Sequence, residues 1–264
     1  MSFNVVDLMV GEWCGSGIIS GDTVLLHSNL NKLLRRYKKL GHDISVELVL
    51  ESLLQAVGPT GTLIFPLFNF DFTRGVEFDI RNTPSHMGAL SEVARLHLSA
   101  VRTGHPIYSF AVIGFHSSRF KGLKNYSGYG PDSPFGLLRE LNGKVAVLNL
   151  PDQNSMTFYH HVEEMMNVSY RFHKAFTGPY RDEAGLESRR TFGLFVRDIE
   201  RGVVTDVNRM GEYLWDLGLY KGSHYETDFG CRTIDARSLF DATAEVIANG
   251  RAREMLFSIE ENVR

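Results

Sequence analysis

The feature that most constrains this chain is a repeated switch between two hydrophobic periods across its first two-thirds. Thr23–His27 is a short β-branched and apolar run ending in polar residues, which reads as a strand. Ser45–Val57 has the helical period, with Val46, Val49, Leu50, Leu53, Leu54 and Val57 on one face and Gly58 as its stop. Gly61–Pro66 reads as a buried strand, Gly88–Leu98 as a second helix and Ser109–Gly114 as another strand. Ser133-Pro134 places an N-cap before a proline at the first helical position and opens a helix through Leu141. Gly143 ends it, and the chain returns as a strand over Lys144–Leu150. Such alternation predicts α/β layers around a largely parallel central sheet.

After Asn167 the pattern changes. Tyr170–Phe176 and Arg190–Val196 are aromatic, strand-like runs around a turn-rich centre from Gly178-Pro179 to Gly185, which predicts an antiparallel hairpin near residues 170–197. The tail returns to helix at Met210–Leu217 and Arg237–Asn249, with Gly250 as a stop. Without repeats, low-complexity tracts or long linkers, 264 residues are expected to form a single domain over 1–264, with 170–197 as a hairpin lobe. An apolar fraction of 43% and a charged fraction of 22% are those of an ordinary soluble protein. The net charge of −3 gives no basic field for nucleic acid or anionic membrane, and mildly favours neutral or cationic ligands. Cys14 and Cys231 form no disulfide or zinc pattern. Met1–Leu8 lacks a basic stretch followed by an apolar one, and no apolar run reaches the roughly 20 residues that span a bilayer, so a cytoplasmic enzyme is the expected class.

Met156–Glu164 is the segment richest in chemistry. It follows the Val145–Leu150 run and Pro151-Asp152, as a strand emptying into a helix. Thr157, His160, Glu163 and Glu164 are spaced to share a helical face, where a hydroxyl, an imidazole and a carboxylate make an acid–base device; a capped helix with a solvated face is the plainer reading. His27-Ser28-Asn29-Leu30 sits where a strand ends and a helix begins, so its amides and hydroxyl could hold a phosphate, a carbonyl or an oxyanion, or merely cap the helix. Thr83-Pro84-Ser85-His86-Met87-Gly88 is a turn suited to a cofactor's polar arm, or to joining two elements. Arg102 offers a cation that suits a phosphate, or a solvated surface, and Tyr129–Pro134 reads as a structural turn. No phosphate loop, dinucleotide fingerprint, nucleophile elbow or His-Glu-x-x-His spacing is present. Adjacent His160 and His161 point about 100° apart on a helix and would not bind one ion, so no metal is expected.

Seven collinear segments together resemble the aminoglycoside 3-N-acetyltransferase family. They are Val24–Leu30, Ala56–Leu63, Phe78–Glu92, His105-Pro106 with Ser109–Val112, Tyr129–Pro134, Gly143–Leu148 and Met156–Glu163, and the resemblance covers about residues 20–250. It implies a three-layer α/β/α sandwich distinct from the GCN5-type acetyltransferases. Acetyl-CoA is then the donor and co-substrate, an amino group of an amino sugar or aminoglycoside the acceptor, and transfer is direct. A homodimer is compatible with it.

The resemblance also assigns residues. His160, held by Glu163, becomes the base that takes the proton as the amine attacks, and an imidazole pKa of about 6.5 suits that work. His27 and Thr157 join them near the acetyl group, Thr157 as a partner of the thioester carbonyl. Ser28, Asn29, Leu30, Thr83, Pro84, Ser85, Met87, Gly88, Ser109, Phe110 and Val112 would hold the pantetheine and phosphates. Phe68, Asp71, Asp79 and Asp152 would meet the acceptor. The segment before His160 departs from the family's aliphatic pattern, with Phe158-Tyr159 there, and Phe68–Thr73 is strongly aromatic. Both departures leave the acceptor open between an antibiotic and a biosynthetic, nucleotide-linked amino sugar for surface polysaccharide. The competing class is a CoA- or sugar-binding protein of the same fold without activity.

Overall fold

A computed structural model describes residues 4–260, so Met1–Phe3 of the targeting reading lie outside the described residues. In chain order the strands are β1 (Thr23–Ser28), β2 (Thr62–Pro66), β3 (Phe78–Asp79), β4 (Val101–Arg102), β5 (Phe110–Gly114) and β6 (Lys144–Leu148). Then follow β7 (Arg171–Arg181), β8 (Glu187–Arg197), β9 (Val203–Thr205), β10 (Lys221–Gly222), β11 (Cys231–Asp235) and β12 (Phe257–Ile259). Seven of them form a mixed sheet in the order β10-β11-β6-β1-β2-β5-β4. Within this sheet parallel pairing is confined to β6, β1 and β2. β5 and β11 run against their neighbours, β4 and β10 reverse again, and so most strands share one direction.

The central strands read as continuous apolar runs because both of their faces are covered. On one face Leu25 joins Ile64, Val145 and Val147 beneath the helices Pro134–Glu140, Phe158–Met165 and Ala236–Ala248. On the other, Val24, Leu26, Leu63 and Ala146 pack under the helices Val5–Gly15, Asn31–Lys39, Val46–Val57 and Ala89–Leu96. Ser45 caps Val46–Val57 by accepting from the Leu48 amide at 3.2 Å, and Ser133 caps Pro134–Glu140 by accepting from Gly136 at 3.4 Å.

Two local features place the site. Where β6 ends, Asn149 takes a left-handed conformation (φ 56°), one of the few that a short amide side chain tolerates, and turns the chain into a 3-10 turn at Asp152–Asn154. The helix Phe158–Met165 follows at once. β7 and β8 pair antiparallel from Arg171↔Arg197 at the base to Arg181↔Glu187 at the tip, and β3 adds a third strand beside β7. The base of this hairpin faces the helix Phe158–Met165.

Candidate active site

The helix Phe158–Met165 buries Phe158, Tyr159 and Val162 in the core, which rotates His160 toward solvent with 19% of its side chain exposed. One turn on, Glu163 is 1% exposed, and its Oε2 accepts from His160 Nδ1 at 2.8 Å. An imidazole that donates Nδ1–H to a carboxylate keeps its lone pair on Nε2. Arg171, the first residue of β7, sets its Nε 2.8 Å from the same Oε2. Its Nη1 donates to the Phe195 carbonyl at 3.1 Å, and its Nη2 to Thr205 Oγ1 at 3.4 Å. The guanidinium thus ties the carboxylate to the base of the hairpin.

These contacts set the charges. Burial pushes the Glu163 carboxyl up, but the Arg171 guanidinium and the His160 bond outweigh it and hold the group below its ordinary range. Burial and then Arg171 pull the His160 imidazole below its ordinary value, against the opposing pull of Glu163. At neutral pH the arrangement is a neutral imidazole on an ionised carboxylate, which is the form a general base requires. His161 does other work: its Nδ1 donates to the Tyr129 carbonyl at 2.7 Å, and burial takes its pKa to about 4. Glu164 leaves the expected shared face as well, accepting from Ser127 Oγ at 2.6 Å.

His160 lines a cleft of about 510 Å³ between the helix and the hairpin. Its walls are aromatic, with Phe70, Tyr108, Tyr129, Phe172 and Phe176, and the Tyr129 ring meets His160 edge-on at 5.2 Å. A file of rings runs inward from there, through Tyr129–Tyr108 at 4.7 Å and Tyr108–Phe68 at 4.4 Å to Phe68–His27 at 6.3 Å. His27 therefore ends that file inside the protein. It is 5% exposed, its Nε2 has no hydrogen-bond partner among the described residues, and burial takes its pKa to about 3. The structure does not bring it to His160. Thr157 stands half-buried just before the helix, where its carbonyl accepts from the His160 amide at 3.0 Å.

A model of the aminoglycoside 3-N-acetyltransferase family matches residues 25–248, which is most of the sequence. The chain belongs to that family. Aminoglycoside N(3)-acetyltransferase IX of Micromonospora chalcea is 27% identical over 177 residues, covering 59% of this chain and 60% of that protein. Aminoglycoside N(3)-acetyltransferase VII of Streptomyces paromomycinus is 30% identical over 172 residues, covering 58% and 57%. The matched stretch is thus under two thirds of each curated relative. Among solved structures, aminoglycoside acetyltransferase AAC(3)-Xa shares the fold with a TM-score of 0.77 at 24% identity, over 92% of each chain. AAC-IIIb, solved as a binary complex with CoASH, gives 0.76 at 19% identity over 94% of this chain and 98% of that one.

For this aminoglycoside 3-N-acetyltransferase family member, the remaining sequence expectations divide by burial. Asp152 is 6% exposed and accepts from Tyr159 at 2.6 Å, Tyr220 at 2.8 Å and Arg232 at 2.6 Å. Three donors engage this buried carboxylate and it does not line the His160 cleft, which corrects its assignment to the acceptor. Asp79 turns onto the Arg81 and Asn82 amides and Arg181, and Asp71 onto Arg74, so neither lines the cleft. Phe68, at 3% exposure, supports the cleft through Tyr108 rather than facing it.

Of the expected donor-binding residues, Phe110 and Val112 are wholly buried strand residues. Ser109 accepts from Arg102 Nε at 3.2 Å and is also buried. Leu30 is 8% exposed, whereas Ser28 and Asn29 are half-buried, Asn29 accepting from the Asn31 amide at 3.0 Å. The Thr83–Gly88 turn is more open. Thr83 Oγ1 and Ser85 Oγ brace it by accepting from the Asp79 and Met87 amides, and Pro84 and Gly88 are exposed. Gly88 starts the helix Ala89–Leu96 at φ 94° with no side-chain cap and with open space where a Cβ would sit. The turn packs on the cleft wall, since the His86 amide donates to the Phe68 carbonyl at 3.1 Å and Asn69 Nδ2 to the Pro84 carbonyl at 3.0 Å.

Sequence reasoning missed Arg171, Tyr108 and the cleft residues Lys174 and Arg197. For Arg171, Lys174 and Arg197 the signal was cationic residues at the foot of a predicted hairpin, and Tyr108 lies outside it. Which of them meets Glu163 depends on tertiary packing.

Proposed function

We propose that this protein is an acetyl-CoA-dependent N-acetyltransferase that acetylates an amino group of an amino sugar or aminoglycoside, with His160 as the general base. The observation that carries this reading is the Arg171–Glu163–His160 array opening on an aromatic cleft. The named relatives are aminoglycoside N(3)-acetyltransferases, and one solved neighbour holds CoASH, which supports the same donor. When bound, acetyl-CoA supplies an activated acetyl thioester.

The residues present fit that donor in two respects. The helix Ala89–Leu96 starts beside the Thr83–Gly88 turn with no side chain capping it, and a helix start so placed suits an anionic arm. The cleft reaches His160, so an amine seated there meets the imidazole directly. Nε2 takes the proton from the amine nitrogen as its lone pair forms the new C–N bond. Glu163 stabilises the resulting imidazolium through Nδ1–H, and Arg171 keeps Glu163 ionised throughout. The imidazolium then returns the proton to the departing sulfur. Thr157 is placed beside the helix start, where its hydroxyl would partner the developing oxyanion.

Thiol release from acetyl-CoA over a panel of amino sugars and aminoglycosides tests the proposal. The wild-type protein releases CoA thiol with at least one amine. His160→Ala lowers kcat by roughly 10²- to 10⁴-fold, the usual contribution of a general base, and binds CoA as before. Wild-type turnover in His160→Ala would falsify the assigned base. CoA binding with no thiol release for any amine favours an inactive binding protein instead.

A further inference from the structure

Two polar residues of the helix Phe158–Met165, His161 and Glu164, lie off the His160–Glu163 face, and both hold the same loop. His161 is 1% exposed, and its Nδ1 donates to the Tyr129 carbonyl at 2.7 Å. Glu164 Oε2 accepts from Ser127 Oγ at 2.6 Å, and that hydroxyl accepts in turn from the Tyr129 amide at 3.3 Å. The Tyr129 backbone is thus tied on both sides, directly and through Ser127, to the helix that carries the base. The loop is also joined to β8, since the Gly128 amide donates to the Gly193 carbonyl at 3.0 Å and the Gly193 amide to the Tyr126 carbonyl at 2.8 Å.

The side chain so fixed is a phenol beside the base. Tyr129 is 4% exposed, lines the cleft and meets the His160 ring edge-on at 5.2 Å between centroids. Tyr108 and Phe135 pack on its ring, with centroids at 4.7 and 6.2 Å. Burial foremost, and then Tyr108, pushes the Tyr129 hydroxyl well above its ordinary range; the Arg171 and Glu163 charges act on it as well, which places it by the same array. A phenol held protonated in this way is no base at neutral pH. It is also a weaker acid than a thiol of pKa about 8.5, so it does not give the leaving sulfur its proton. What it offers is a fixed, neutral hydrogen-bond donor in an aromatic cleft.

We infer that Tyr129 is a catalytic residue whose hydroxyl donates to the acetyl oxygen as the tetrahedral intermediate forms, with His161 and Glu164 as its positioning residues. The inference rests on the acetyl-transfer reading of that cleft. The amine lone pair forms the C–N bond, the carbonyl π pair moves onto oxygen, and the amine proton goes to His160 Nε2. The phenol keeps its own proton and hydrogen-bonds the oxyanion, beside Thr157. As the carbonyl re-forms, the C–S bond breaks and the sulfur takes the proton from the imidazolium.

Steady-state thiol release by the full chain, with glucosamine, kanamycin and gentamicin as acceptors, tests this in Tyr129→Phe, which keeps the ring and removes the hydroxyl. Its kcat is expected to fall about 10²- to 10³-fold, the loss for one oxyanion donor, with KM for the amine unchanged. The loss is the same for every amine that the wild type turns over, because the acetyl oxygen is common to them all. Tm and CoA affinity stay at their wild-type values. An unchanged kcat overturns the inference. So does a raised KM alone, or a loss confined to some acceptors, either of which would give the hydroxyl to the acceptor. A parallel loss of Tm or of CoA affinity also overturns it, by reducing Tyr129 to a packing residue.

His161→Phe checks the positioning. His161 Nε2 has no hydrogen-bond partner among the described residues, so phenylalanine forfeits only the bond to Tyr129. The change should lower kcat in the wild type and lower it no further in Tyr129→Phe, as expected of residues that act through one group. Equal losses in both backgrounds overturn the role given to His161. Full turnover by Tyr129→Phe leaves the transferase reading standing and removes this one, whereas no thiol release by the wild type with any amine removes both.

Discussion

A carboxylate with 1% of its surface in water stays ionised only if something replaces the lost hydration, and for Glu163 that is Arg171 on one side and His160 on the other. Removing the guanidinium strands the charge. Arg171→Met should therefore cost about 3–5 kcal/mol of stability, the usual penalty for breaking a buried pair from one side. Urea denaturation at pH 7 reads it directly, and a loss below about 1 kcal/mol would mean that water reaches the carboxylate after all. His160 and Glu163 were legible in the sequence because three residues on a helix is a local geometry. Arg171 was not, since its meeting with Glu163 depends on where the hairpin lands. Asp152 misled for a related reason: an acidic residue after a strand reads as a site, and only the fold supplies Arg232, Tyr159 and Tyr220 to bury it.

Elements pack here at distances that leave no slack. Gly211 in the helix Asn208–Asp216 lies against that same carboxylate, and a Cβ at this position would sit 2.5 Å from Asp152 Cγ. Because three donors fix Asp152, it cannot step aside, so Gly211→Ala should destabilise by about 1–3 kcal/mol despite the better helix propensity of alanine. A thermal melt checks this; an unchanged or raised Tm would show that the network yields. The helices Val46–Val57 and Pro134–Glu140 were readable almost to the residue, since an apolar stripe and a serine cap are local signals. β11 escaped notice. Cys231-Arg-Thr-Ile-Asp looks polar, because its Arg232 is spent on the buried Asp152 and its pairing with β6 is antiparallel and distant in sequence. The same long-range pairing explains why the seven-stranded sheet, which reads as largely parallel, confines its parallel pairs to three central strands.

At the scale of the whole molecule, several histidines are folded into the interior as neutral rings. Burial holds His27 at about 3, and His105 and His161 at about 4, all below the ordinary value of about 6.5 that the unfolded chain recovers. Between those limits the unfolded chain binds more protons, so stability is present above pH 6.5 and is lost as pH falls toward 4. The slope reaches about 1.4 kcal/mol per pH unit for each ring. Urea midpoints at pH 7 and pH 5 should differ accordingly, and equal midpoints would mean that these rings find solvent or partners in the native state.

The account depends most on His160 being a neutral base tuned from two sides by Glu163 and Arg171. The acid limb of kcat for acetyl transfer, measured in the wild type, Glu163→Gln and Arg171→Met, tests this. The wild-type limb should fall below pH 6.5, since burial and Arg171 lower the imidazole pKa. It should move lower in Glu163→Gln, which loses the stabilising anion, and higher in Arg171→Met, which loses the opposing cation; a limb at the same pH in all three proteins would contradict the assignment of His160 as the base.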